Sequence, residues 1–168
     1  MPADLVVTAD GRCAFRGAVY DCVLGSGGIV VAKKEGDGGT PAGQWPLRRL
    51  LYRPDRGAPP PCVLPVETIA PDDGWCDDPA DAAYNRPVKL PYGAGHEEMW
   101  RADALYDLVV VVGHNDDPPV PGAGSAIFLH LARPDRGPTA GCVAFVRDDL
   151  EAILRGLEEG SHLVVTAS

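Results

Sequence analysis

Short apolar runs separated by turns dominate the pattern of hydrophobic and polar positions along this chain. Leu5–Thr8 is a β-branched run, Asp10-Gly11 is a hairpin turn signal, and Cys13-Ala14-Phe15 begins a returning strand. The continuous apolar run Leu108–Val112 is typical of a strand buried on both faces. The pattern predicts further strands over residues 19–24, 29–32, 47–52, 63–69, 126–131 and 162–166.

Helical spacing is confined to two segments. Asp148 or Asp149 can cap a helix that ends at Gly160. Its apolar face is formed by Leu150, Ile153, Leu154 and Leu157. A short helix is also expected from His96 to about Leu105, after a loop-rich stretch from Pro71 to Pro91. Many strands, few helices and no visible linker predict a mainly β fold in a single domain, residues 1–168.

Composition and charge narrow the possible functions. The chain contains 20 Gly and 17 Pro residues, which suits many short strands joined by turns. Its net charge of −9, with no Lys/Arg stripe, disfavours binding to nucleic acid or to anionic lipid. Apolar runs are shorter than the roughly 18 residues that a membrane-spanning helix needs, so no membrane insertion is expected. Residues 1–11 also lack the basic and apolar pattern of a signal peptide.

The five cysteines do not form a metal-binding pattern. Their odd number leaves at least one thiol unpaired, and neither a C-x-x-C spacing nor a zinc-like Cys/His set is present. No metal site is therefore expected. Cys13 and Cys22 could pair across a hairpin, but two half-buried strand thiols is the preferred interpretation.

One His–Cys pair has the chemistry of acyl transfer. His130 lies within a predicted strand, and a Gly/Pro-rich loop leads from it to Gly141-Cys142. An imidazole near the thiol can take its proton and generate the nucleophilic thiolate. Gly141 permits close approach of a substrate carbonyl, and amides around Gly141 and Cys142 could form an oxyanion hole. Taken alone, the pair is more typical of two core residues than of a catalytic pair.

Two motifs give the pair more weight. Thr139-Ala140-Gly141-Cys142 follows the strand histidine, and Lys34–Trp45 follows a Lys-x-Gly-x-x-Thr-Pro-x-Gly-x-aromatic pattern with one extra residue. Together they resemble the L,D-transpeptidase (YkuD-type) family, most closely over residues 29–165. Ala140 and Ala144 depart from the family pattern, which often has His and Arg at these positions.

The resemblance implies a β-sandwich or barrel that acts on peptidoglycan stem peptides without a metal or organic cofactor. Cys142 would attack a diaminopimelate carbonyl and release the terminal D-Ala, and His130 would serve as general base and then general acid. An amine from a second stem would resolve the thioester. The resemblance also implies covalent inhibition by carbapenem β-lactams and a location in the cell envelope or periplasm.

Further residues are candidates for substrate binding. Thr139 belongs to the nucleophile motif, His114 and Asn115 follow a buried strand, Arg133 suits a carboxylate, and Trp75 could line a groove. Two alternatives stay open: an L,D-carboxypeptidase that uses water as acceptor, and a catalytically inactive peptidoglycan-binding module.

Overall fold

The mainly β prediction is confirmed by a computed structural model that describes residues 1–167. Strand accounts for 35% of the residues and helix for 8%. The strands are β1 Leu5–Thr8, β2 Arg12–Phe15, β3 Ala18–Asp21, β4 Ile29–Val30, β5 Thr40–Pro41, β6 Gly43–Tyr52, β7 Val66–Thr68, β8 Asp73–Cys76, β9 Pro87–Lys89, β10 His96–Glu98, β11 Leu108–Val112, β12 Phe128–Leu131, β13 Val143–Phe145 and β14 His162–Val165. The helices are a 3₁₀ turn at Pro54–Arg56 and α1 at Arg147–Gly156. Within residues 1–167 no helix is both long and apolar enough to cross a bilayer.

Nine strands form the main sheet, which curves into a nearly closed, barrel-like form. Its order is β13-β12-β11-β6-β14-β1-β2-β3, and β7 pairs with the long strand β6. All five residues of β11 are buried, as the continuous apolar run predicts. Alternate residues of this strand enter two different cores, because successive side chains in a strand point to opposite faces.

Helix α1 covers the first of these cores. Leu150, Ile153 and Leu154 are fully buried there, which confirms the predicted apolar face. The boundaries differ from the prediction, because the helix begins at Arg147 and ends at Gly156. Asp148 and Asp149 lie in the first turn instead of capping it, where their charges favour the positive end of the helix dipole.

The second core is covered by a three-stranded sheet in the order β10-β8-β9. The Pro71–Pro91 segment is mostly irregular, as predicted, although it contributes β8 and β9, whereas the helix predicted from His96 to Leu105 is wrong. Residues 96–98 pair with β8 instead. Asp103 accepts hydrogen bonds from the backbone N–H of Leu105 and from the Arg101 guanidinium. Such local side-chain bonds compete with helical hydrogen bonds.

Cys13 and Cys22 are unpaired, as the preferred interpretation states, but they are buried and not half-buried. All five are free thiols, and Cys13 and Cys22 are buried in the core.

Candidate active site

Two adjacent parallel strands position the His–Cys pair. Strand β12 pairs with β13 so that His130 lies opposite Ala144. Because side chains alternate, Cys142, two residues before Ala144, is directed to the same face as His130. His130 and Cys142 accordingly line one cavity of about 550 Å³. His130 and Cys142 are 12 positions apart in the sequence, and the pairing of β12 with β13 brings their side chains into a single concave site.

The loop before Cys142 is held from both sides. The segment before β4 pairs with it through hydrogen bonds from Ser26 N to Thr139 O at 2.9 Å and from Thr139 N to Leu24 O at 3.1 Å. Within the loop, the Thr139 hydroxyl donates to Cys142 O at 2.7 Å and accepts from Gly141 N at 3.0 Å. The Gly141 amide, expected in the oxyanion hole, is thus already engaged in this structure.

Gly141 is nevertheless required by the local geometry. Its φ of 142° lies outside the range that side-chain-bearing residues readily adopt. A Cβ at this position would lie 2.8 Å from Gly39 O, a backbone atom with little freedom to move. The loop that carries the Lys34–Trp45 motif therefore approaches the nucleophile loop through its backbone.

The Cys142 thiol is buried and protonated. Its side chain lies against the start of β12, where Sγ donates to Ala126 O at 3.2 Å and accepts from Phe128 N at 3.4 Å. Burial raises the pKa of this thiol to about 12, and the negative charge of Glu97 acts in the same direction. Among residues 1–167, the hydrogen bonds of Sγ are to Ala126 O and Phe128 N and not to the His130 ring.

The His130 ring is oriented by the backbone. Its Nδ1 lies 2.8 Å from Leu131 O, and a carbonyl oxygen only accepts, so Nδ1 carries the proton and Nε2 is left as the base. The pKa of His130 is lowered to about 4, mainly by burial and to a smaller extent by Arg101 and Arg133, against the opposing Leu131 hydrogen bond. The Tyr106 ring meets the imidazole edge to face at 5.3 Å between centroids. The resting pair is therefore a neutral imidazole and a thiol.

The cavity wall carries both signs of charge. Its acidic residues are Glu35, Asp77 and Glu97, and its basic residues are Lys33, Arg101 and Arg133. Burial raises the pKa of Asp77 and of Glu97, although the Tyr106 hydroxyl donates to Glu97 at 2.7 Å. Glu35 accepts hydrogen bonds from the hydroxyls of Tyr84 and Ser125 at 2.7 and 2.5 Å.

Four of the residues predicted for the site line this cavity: Cys142, His130, Thr139 and Arg133. Three predicted substrate-binding residues, His114, Asn115 and Trp75, lie elsewhere. His114 and Asn115 border a separate cavity of about 290 Å³, where the His114 ring contacts Trp45 at 4.7 Å.

Trp75 is enclosed in the second core. It is only 4% exposed, its ring meets Phe128 at 5.0 Å, and its indole N–H donates to Asn85 Oδ1 at 3.0 Å. Trp75 does not line the cavity that Cys142 and His130 share, and its contact with substrate stays a prediction.

Asn85 is the residue that the sequence analysis missed. Its side chain is buried and donates to His114 O and Asn115 O at 3.1 and 2.7 Å. Its Oδ1 also accepts from Ala126 N at 3.0 Å, and Ala126 in turn supplies the carbonyl that holds the Cys142 thiol. Asn85 thereby fixes a left-handed residue, Ala126 at φ 54°, which explains why β12 begins at Phe128 and not at the predicted residue 126. An Asn followed by Arg-Pro was its only local signal.

Comparison with protein families decides the classification. The model of the L,D-transpeptidase catalytic domain, YkuD, matches residues 4–165. The chain belongs to this family. Comparisons with curated proteins and with solved structures give no significant match. Members of the L,D-transpeptidase family are cysteine-dependent enzymes that act on peptidoglycan and are in general sensitive to carbapenems. The resemblance based on two motifs is thus confirmed over nearly the whole chain.

Proposed function

We propose that this protein is an L,D-transpeptidase in which Cys142 is the nucleophile and His130 the general base and acid. The observation that carries the proposal is the single cavity lined by both residues, with the His130 tautomer fixed by Leu131 O. A base whose Nδ1–H is held by the backbone leaves Nε2 free to accept a proton, as acyl transfer requires.

The reaction begins from the neutral pair. As Sγ leaves Ala126 O and bonds to the substrate carbonyl carbon, its proton passes to His130 Nε2 and the carbonyl π electrons move to oxygen. Collapse of this tetrahedral species expels the terminal amino acid as an amine, which takes the proton from Nε2. The low pKa of His130, caused mainly by burial, favours this second proton transfer because the imidazolium is a strong acid.

The thioester is resolved by an amine of a second stem. Attack of the amine on the thioester carbon transfers a proton to His130 Nε2, and the departing sulfur recovers it. The acidic residues Glu35, Asp77 and Glu97 support an amine acceptor over water, because their carboxylates can bind the ammonium group of such a substrate on one side of the cavity.

Diaminopimelate fits the mixed charge of the cavity. Its ammonium groups suit the acidic side, and its carboxylates suit the guanidinium groups of Arg101 and Arg133. We further propose that the protein acts in the cell envelope, where peptidoglycan stem peptides occur.

Incubation with a diaminopimelate-containing tetrapeptide tests the proposal. Mass spectrometry should detect loss of D-Ala, a thioester on Cys142 and a cross-linked dimer, none of which forms in Cys142→Ala. A trimmed tripeptide without a dimer would indicate the carboxypeptidase instead. Product formation by folded Cys142→Ala would refute the assignment of the nucleophile, and failure of the wild type to form any adduct with tetrapeptide or carbapenem would leave the binding module as the better description.

A further inference from the structure

Lys33 is a buried cation beside the nucleophile loop. Its side chain is 7% exposed, and it lines the same cavity as Cys142. The Lys33 side chain packs against two glycines. A Cβ on Gly124 would lie 3.0 Å from Lys33 Cγ, and a Cβ on Gly141 would lie 3.6 Å from Lys33 Nζ. The ammonium group therefore lies next to the residue that immediately precedes Cys142.

Asp37 holds this ammonium in place. The Lys33 Nζ to Asp37 Oδ1 distance is 2.5 Å, and the same carboxylate accepts from Gly39 N at 2.8 Å and Lys34 N at 2.9 Å. Although desolvation alone would raise it, these hydrogen bonds, with Lys33 foremost, bring the pKa of Asp37 down to about 2. Within residues 1–167 Nζ makes no further hydrogen bond, so the other ammonium protons are available to a substrate.

A cation at this position can supplement the backbone donors expected for an oxyanion. Attack on a carbonyl creates an oxyanion, and the Gly141 amide expected to bind it already donates to Thr139 Oγ1. The charged groups facing the cavity, besides Lys33, are Glu35, Asp77, Glu97, Arg101 and Arg133. Of the cations, Lys33 is the one whose charged atom borders Gly141. Its charge also lowers the pKa of Cys142, against the larger effect of burial.

We propose that Lys33 is a catalytic residue whose ammonium stabilises the oxyanion formed when Cys142 attacks a substrate carbonyl. This inference rests on the proposed acyl-transfer function. The S–C bond forms, the thiol proton moves to His130 Nε2, and the carbonyl electron pair becomes the oxyanion that Lys33 Nζ–H meets. Lys33 keeps its proton throughout, and the oxyanion re-forms the carbonyl when the leaving group departs.

Two reactions of Cys142 distinguish stabilisation of an oxyanion by Lys33 from a general effect of Lys33 on the thiol. Acetylation by 4-nitrophenyl acetate passes through an oxyanion and needs no peptidoglycan, whereas alkylation by iodoacetamide forms no oxyanion. In Lys33→Met the rate of Cys142 acetylation should fall about 100-fold, which is typical of losing one oxyanion-stabilising group. Alkylation of the same cysteine should fall about tenfold or less, because only the thiolate loses its favourable neighbour.

Two further variants serve as controls. Lys34→Met removes an adjacent, exposed charge and should stay within about twofold of wild type, since its side chain is outside the cavity. Lys33→Arg keeps the cation and should recover at least about tenfold of the lost acetylation rate. Circular dichroism spectra and unfolding midpoints identify folded variants. If Lys33→Met does not fold, an acetylation rate in Lys33→Arg more than about tenfold below wild type overturns the proposal.

The outcomes are distinct. The proposal for Lys33 would be overturned if Lys33→Met acetylated at the wild-type rate, or if it lost acetylation and alkylation equally. It would also be overturned by an equal loss in Lys34→Met, by no recovery in Lys33→Arg, or by no acetylation of wild-type Cys142. Inactivity toward tetrapeptide with normal acetylation of Cys142 would instead refute the proposed peptidoglycan function and leave the role of Lys33 intact.

Discussion

Replacing Asn85 by Ala should destabilise the protein severely. The substitution removes the acceptor for two buried donors, the backbone N–H of Ala126 and the indole N–H of Trp75. Each buried donor left unpaired costs about 1–3 kcal/mol. Ala must also adopt the φ of 57° that Asn tolerates, which adds about 1 kcal/mol. The combined loss is expected to be about 4 kcal/mol, a large part of the ~5–15 kcal/mol that usually separates folded and unfolded states.

Urea denaturation followed by tryptophan fluorescence measures this loss. With a slope of about 2 kcal/mol per molar, the midpoint of Asn85→Ala should lie about 2 M below that of the wild type. Asn85→Gly removes the same hydrogen bonds but accepts the positive φ, so its loss should be smaller. A loss below about 1 kcal/mol in Asn85→Ala would show that water replaces the side chain, and the account of Asn85 as the support of Ala126 would be wrong.

Two further predictions concern the nucleophile loop and its base. Thr139→Val removes the hydroxyl that accepts from Gly141 N at 3.0 Å, so acylation of Cys142 by a carbapenem should slow about tenfold. Thr139→Ser keeps the hydroxyl and should stay near the wild-type rate. Equal acylation rates in the two variants would contradict this expectation. Because burial holds the pKa of His130 at about 4, below its usual 6.5, the unfolded chain binds the proton first as pH falls. Urea titrations of the wild type and of His130→Gln measure the difference between their free energies of unfolding. The advantage of the wild type should be greatest above pH 6.5 and decline toward pH 4. A difference that does not change with pH would refute the burial argument.

Local patterns determined much of the fold and indicated the His–Cys pair that we propose as catalytic. The apolar run Leu108–Val112 specified a strand covered on both faces, because only burial makes five consecutive apolar residues favourable. The spacing of Leu150, Ile153 and Leu154 specified the face of α1. The motif around Cys142 and the Lys34–Trp45 loop identified the family. Each motif consists of nearby residues whose types are set by local chemistry and turn geometry, so each can be recognised from the sequence.

Tertiary structure decided what lies around that pair. Strand β8 forms only because β9 and β10 pair with it, and such partners leave no periodic trace within a segment rich in Asp and Pro. Asn85 meets Ala126 across 41 residues, and Lys33 reaches Gly141 across more than a hundred. The thiol–Ala126 contact likewise depends on where β12 begins. Local sequence determined which groups could react, whereas contacts between distant segments determined the position, burial and protonation of those groups, because hydrogen bonding and desolvation depend on neighbours in space.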